Sequence, residues 1–333
     1  MSVKGNKLLV AFLSISLCVL MGGCSLSTNP LEKVRATSVP GLAMRLHPAS
    51  ASDENVDTFQ VSLYFRFENE PMLAAETRML TARRDESKEL VLLRALLEGP
   101  SAGHSELKRL FPEGVQVESV TEHNGILYIT FNDALLTADE VPDDWQSRPE
   151  WVIEAPTLRA LTIQSAIASV TESFPYHGVQ ILVYSTHKVQ SSLRLENSYF
   201  LTDAQGLSEP LSRNESLLLT PQNAVLRLMK AWQLRDYAAI YPYIATGKES
   251  ELKPSLQNMS LELDAAASLM DYTVSGGSVS TDGRRCVLTV QYTLQGEGSI
   301  PIAASYPLPL IRENDIWKIE FAQLLALMVP TNH

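Results

Sequence analysis

Apolar and polar residues alternate from Thr58 to Phe67, with Phe59, Val61, Leu63, Phe65 and Phe67 on one face and Gln60, Ser62, Tyr64 and Arg66 on the other. A period of two predicts a half-buried strand, which Glu68-Asn69-Glu70-Pro71 ends, and Thr77–Arg83 reads as its antiparallel partner. The period then becomes helical. Leu90, Leu93, Leu96 and Leu97 share a face, Asp85-Glu86-Ser87 supplies a capping oxygen and first-turn negative charge, and Glu98-Gly99-Pro100 stops the element. Gly99 suits a left-handed C-terminal position, and Pro100 cannot continue a helix. Pro112-Glu113-Gly114 turns the chain into two strands, Val115–Thr121 and Ile126–Phe131, joined by Asn124-Gly125, the dipeptide best suited to the positive φ angles of a tight hairpin. After an Asp-, Pro- and Trp-rich loop from Asp139 to Pro149, Pro156 is read as opening a second helix. Ile163, Ile167, Val170 and Phe174 lie on one side of it, Arg159, Thr162, Ser169 and Glu172 on the other, and Gly178–Ser185 alternates as a closing strand. This order predicts an α+β domain over residues 57–201, a mixed sheet with two helices on one face.

Residues 202–215 carry Gln-Gly, Glu-Pro and Ser-Arg-Asn with little apolar periodicity and read as a linker. A smaller helix-plus-antiparallel-sheet α+β domain is expected over 216–329. Thr220-Pro221 caps a helix with Val225, Leu228, Met229 and Trp232 at helical spacing, and a further helical piece is expected from Leu256 to Leu269. Strands follow around Tyr272–Ser280, Arg284–Leu294, Ile300–Arg312 and Ile316–Phe321, with Gly276-Gly277, Asp282-Gly283, Gly296-Glu297-Gly298 and Asn314-Asp315 as turns.

The amino terminus changes the picture from globular protein to exported one. Lys4 and Lys7 precede an apolar run from Leu8 to Met21, too short and one-sided for a stable span but suited to a signal peptide over residues 1–23. Gly22-Gly23-Cys24-Ser25 follows. It resembles a bacterial lipobox, with Met21 where Leu is usual and Gly22 where Ala or Ser is; the resemblance implies lipid transfer to the Cys24 thiol and cleavage before it. Residues 24–56 then form a polar tether that holds the chain on the extracytoplasmic face of the cell membrane. Without Lys4 and Lys7 the chain carries 25 basic against 38 acidic residues, a balance that argues against a nucleic-acid backbone as partner. Of three cysteines only Cys286 remains in the mature fold, alternating with Leu288, Val290 and Tyr292 as a small buried hydrophobe would.

Several stretches together resemble the GerMN domain of sporulation and spore germination lipoproteins. They are Leu63-Tyr64-Phe65, the helix end Leu96-Leu97-Glu98-Gly99-Pro100, the turn Phe111-Pro112-Glu113-Gly114, the Asn124-Gly125 hairpin with Ile129-Thr130-Phe131-Asn132, and Val179-Gln180-Ile181-Leu182-Val183. Phe111 stands where the family has Leu, and Thr130 where it often has Asp. The resemblance implies a non-catalytic extracytoplasmic domain that acts by association, with other sporulation or cell-envelope proteins or with further copies of itself. A weaker likeness links Ala231-Trp232, Asp236-Tyr237 and the ending Asp315-Ile316-Trp317-Lys318-Ile319 to cone-shaped folds like nuclear transport factor.

Candidate chemistry is sparse. His104-Ser105 lies in a Gly-flanked loop without a nucleophile elbow, His123, His177 and His187 lack partners at ligand spacing, and Asp139, Glu140, Asp143 and Asp144 lack the register of a calcium loop. The expectation is therefore no catalytic residue, no metal and no cofactor. Trp145 and Trp151 flank the acidic loop and are the candidate partner-binding residues, although two aromatics could equally pin a long loop to its own sheet. Glu98, Gly99, Pro100, Pro112 and Gly114 are structural turns. The reading is an assembly or partner-binding lipoprotein of sporulation or germination; the alternative is a lipoprotein that binds a solute or cell-wall peptidoglycan.

Overall fold

The computed structural model describes residues 56–137, 141–185, 191–247, 252–264, 266–295 and 301–328. The signal peptide, Cys24, Asp139, Glu140 and His187 lie outside the described residues.

The first half is α+β and contains a mixed sheet, but its strands divide between two sheets. β1 (Val56–Phe67), β2 (Leu73–Arg83) and the short β3 (Leu107–Lys108) form a three-stranded sheet in the order β2-β1-β3. β4 (Val117–His123), β5 (Ile126–Asn132), β6 (Gly178–Ser185) and β7 (Ser191–Arg194) form the mixed one, in chain order. Its parallel pair is β5 with β6, and the crossover between them contains the long helix α2 (Pro149–Ser173), as a parallel connection requires. The shorter helix α1 (Lys88–Glu98) starts where expected, with Ser87 Oγ accepting from Leu90 N at 3.2 Å. Asn124 and Gly125 take φ of 53° and 74° at the β4–β5 hairpin, the two positive angles that turn demands.

α2 explains why β1 stands apart from the mixed sheet. Beyond β3, which reaches only Arg66 and Phe67, the second edge of β1 is met by serine hydroxyls of α2. Ser169 Oγ accepts from Tyr64 N at 2.9 Å, Ser165 Oγ donates to Tyr64 O at 2.6 Å, and Ser173 Oγ accepts from Ser62 N at 3.4 Å. Serines at four-residue intervals meet alternate strand residues, so backbone groups that would otherwise seek a neighbouring strand are satisfied by a helix. Two expectations change as a result. β1 is buried on both faces from Leu63 onward, and the polar side of α2 faces protein, with Arg159, Thr162, Ser165 and Ser169 all buried. The helix also begins seven residues before Pro156, at Pro149; a second proline took the first-turn role, and Pro156 lies within the helix close to exposed Val152 and Ile153.

The second half holds α3 (Pro221–Leu234), α4 (Tyr237–Ile240), α5 (Leu256–Leu263) and a four-stranded antiparallel sheet. The strands β8 (Leu269–Val279), β9 (Arg285–Gln295), β10 (Pro301–Glu313) and β11 (Ile316–Lys318) run in the order β11-β10-β9-β8, and α6 (Phe321–Met328) follows. Thr220 caps α3 as expected, accepting from Asn223 N at 3.1 Å. Gly276-Gly277 is not a turn. It lies inside β8 at a register shift, a bulge where a Cβ on Gly277 would come within 2.6 Å of Leu288. Leu269 begins a strand instead of ending a helix, and Phe321 begins a helix instead of ending a strand. Cys286 is buried on the inner face of β9, where burial pushes its thiol pKa up.

The described residues cluster as one compact unit. One apolar cluster includes Leu63 and Phe65 of β1, Ile167 of α2, Trp232 of α3 and Leu327 of α6, and the ring of Phe67 meets Tyr243 edge-on at 5.4 Å. The segment read as a linker is itself paired: Leu207 bridges to Glu196 and Leu211 to Val179, and Arg213 pairs with Glu172 and Glu215.

Candidate functional site

The stop after α1 positions a polar seam between the two halves. Gly99 has φ 98° and ψ −177°, a positive-φ extended conformation open essentially to glycine alone and different from the left-handed cap expected of it. The carboxylate of Glu76, 2% exposed, accepts from Arg78 Nε and Nη2, each at 2.8 Å, and from Ser101 N at 3.0 Å. Arg78 Nη2 also donates to Gly99 O at 3.0 Å. The chain is thereby held as it leaves the helix, and Ser101, His104 and Glu106 are presented to the second half. Both oxygens of Glu106 accept from Lys318 Nζ, at 2.6 and 2.7 Å, and Lys318 reaches Glu313 Oε2 at 3.2 Å. Farther along, Pro112 O accepts from Arg109 Nη2, and Gly114, with φ of 80°, gives its carbonyl to Asn132 Nδ2.

His104 meets Ser101, not its sequence neighbour Ser105. Its Nδ1 lies 2.9 Å from Ser101 Oγ within a turn. Its Nε2 is 3.8 Å from Asp315 Oδ2, beyond hydrogen-bond reach, and that oxygen accepts from Thr77 N at 2.9 Å. These contacts tie β2, the loop after α1 and the β10–β11 turn together. Among the described residues no group of three His, Cys, Asp or Glu is placed to hold a metal ion.

The two tryptophans are brought to one region by different elements. Trp145 opens a short 3-10 turn (Trp145–Ser147) and is half-buried. Trp151 lies in the first turn of α2 and packs against the cluster of Tyr64, Leu73, Leu110, Leu158 and Leu161. Between them Asp144 and Arg148 pair at 2.9 Å. The apolar groups that reach solvent here are others: Val152 is 47% and Ile153 75% exposed. A loop ending at Pro149 and a helix starting at Pro156 left these two residues outside any element, which is why the sequence drew attention to the tryptophans alone.

A second concavity lies against β6 and β7, with a volume of about 580 Å³. Leu136, Val183, Leu193, Leu195 and Leu201 give it apolar walls, and Arg159 and Tyr199 line it too. Arg159 is 8% exposed, donates through Nη1 to Leu135 O at 3.3 Å and lies 4.7 Å over the Tyr199 ring. Burial pushes the Tyr199 phenol pKa up, although Arg159 and Thr162 pull the other way. Sequence periodicity placed Arg159 on the polar side of the helix, opposite Ile163 and Ile167, and Tyr199 has no distinguishing pattern.

Residues 62–185 match the Germane family, described as sporulation and spore germination. Two solved structures are similar to parts of the chain. The tandem GerMN domains of the sporulation protein GerM from Bacillus subtilis align at 17% identity and a TM-score of 0.31, over 47% of this chain and 45% of that one. A candidate lipoprotein from Clostridium perfringens aligns at 21% identity and a TM-score of 0.26, over 48% of this chain and 90% of the other. The chain thus spans less than half the length of the Bacillus subtilis structure. No curated protein matches it.

Proposed function

We infer from the Germane domain that residues 62–185 of this chain form, and that ties it to sporulation and spore germination, that the protein works there by association, as a lipid-anchored component of the extracytoplasmic membrane face. The family match carries this reading. The Cys24 motif supplies the anchor and the tether lets the domain stand off the bilayer. The contact surface is the exposed start of α2, where Val152 and Ile153 present apolar groups beside half-buried Trp145 and Trp151. Anchors of this kind concentrate binding energy in a few residues.

Two measurements test this. Replacing Cys24 with Ala is expected to move the protein from the membrane to the soluble fraction of sporulating cells; retention in the membrane fraction refutes the lipid anchor. Ile153→Asp is expected to abolish co-purification of envelope proteins with the full chain while shifting the melting temperature little, since a residue so exposed contributes little to the core. Unchanged co-purification removes this surface from consideration, and sedimentation with peptidoglycan in its place turns the reading toward cell-wall binding.

A further inference from the structure

The cavity against β6 and β7 holds a buried cation that no acid among the described residues neutralises. Among the described residues, every other cation with such low exposure meets an acid: Lys318 meets Glu106 and Glu313, and Arg66 meets Glu154 at 2.6 Å. Arg159 is paired with none, and its Nε has no hydrogen-bond partner. The ring of Tyr199, also 8% exposed, lies 4.7 Å from that guanidinium, and its hydroxyl is turned toward Arg159 and Thr162. A buried cation without a counter-charge is costly, because it has lost water and gained no acid for it. Arg159 lines the cavity, so a guest there could supply the missing charge.

We propose that this cavity binds a monocarboxylate with an apolar body. The carboxylate would pair with the Arg159 guanidinium, a charge-assisted interaction of the strong kind. The body would lie against Leu136, Val183, Leu193, Leu195 and Leu201. A volume of about 580 Å³ suits a small ligand or the last residues of a peptide. The rim sets the charge of the guest. Asp133 and exposed Glu196 both line the cavity, Asp133 with interactions of its own and Glu196 accepting from Ser198 Oγ at 3.2 Å. Arg194, also on the rim, is committed to Glu209 and Ser208 O. One buried cation behind two acids admits a single negative charge and opposes a phosphate dianion. This inference does not rest on the association reading, since a chain that assembles through α2 could leave the cavity empty.

Calorimetric titration of the full chain in lipid nanodiscs, with empty nanodiscs as reference, tests it. The probes are hexanoate against hexanamide, and acetyl-Ala-Val-Leu with a free carboxylate against its C-terminal amide. At least one acid is expected to bind, with its amide about tenfold or more weaker; which acid binds distinguishes a free small acid from a peptide terminus. Arg159→Met is expected to weaken the acid by about tenfold or more while keeping or raising the melting temperature, because it removes an unpaired buried charge. Arg159→Lys restores only part, lacking the planar fork. Leu193→Asp, at an exposed residue of the apolar wall, is expected to weaken the acid as much and serves if Arg159→Met does not fold. Equal binding of acid and amide, or no heat from either acid up to about 10 mM, overturns the proposal. So does a large loss of melting temperature in Arg159→Met without any change in binding, which would make Arg159 a brace for Leu135 O.

Discussion

Replacing Glu106 with Ala is expected to lower the unfolding free energy by about 3 kcal/mol, because it leaves the ammonium of Lys318 buried with one remaining acid. The Lys318 side chain is 2% exposed, and Glu106 supplies its two shortest contacts, at 2.6 and 2.7 Å. Removing both charges, in Glu106→Ala with Lys318→Met, should recover most of the loss, since desolvation of the lysine disappears with it. Urea unfolding of the two single variants and the double variant measures this coupling. Additive losses would show that the seam contributes nothing beyond packing. Acid should act on the same place. Burial alone would raise the pKa of Glu313, but the Thr246 backbone N–H and the charge of Lys318 outweigh it and hold the pKa low. A carboxylate depressed in the folded state contributes stability that is present above its unfolded pKa and lost as pH falls through its folded one. The melting temperature should therefore fall on acidification below the ordinary carboxylate range, with a shallower fall in Glu313→Gln.

Trp232→Ala should cost about 3–5 kcal/mol, as a large side chain removed from a core that closes only in part. The ring is 1% exposed, its Nε1 donates to Ala267 O at 3.1 Å, and it meets Tyr292 at 5.8 Å. The informative readout is which residues unfold with it. Because one apolar cluster spans both halves, hydrogen exchange in β1 and β6 should accelerate together with exchange in β8 and β9. Loss of protection confined to residues 216–328 would show two independently stable halves joined by a weak seam. Trp232→Phe, a milder change, gives the same comparison if the alanine variant does not accumulate.

The elements legible in the sequence were those whose signals are local. Ser87 capped α1, Asn124-Gly125 made the hairpin, Thr220-Pro221 opened α3, and β6 ran from Gly178 to Ser185 as its alternation requires. Misreadings arose where one local signal had two uses. Pro149 and Pro156 could each begin a helix; neighbours decided that the first does. Gly276-Gly277 could turn a chain or kink a strand, and pairing of β8 with β9 on both sides of it decided for the kink.

The candidate surfaces depended still more on tertiary context. Nothing in the spacing of Arg159 distinguishes it from Arg66, yet Arg66 lies against Glu154 and Arg159 against no acid among the described residues. The tryptophans stood out by composition, whereas exposure singled out Ile153.

What the sequence determined alone was the α+β class, the likeness of residues 62–185 to the Germane family and the expectation of a lipid anchor at Cys24, because turn chemistry, periodicity and processing motifs are written in contiguous residues. Only the tertiary structure decided that the serines of α2 satisfy an edge of β1, that Glu106 holds Lys318 across the seam, and that Arg159 has no counter-charge among the described residues. Ser169 and Tyr64 are 105 positions apart and Glu106 and Lys318 are 212, and whether a charge is paired depends on which distant residues packing brings beside it.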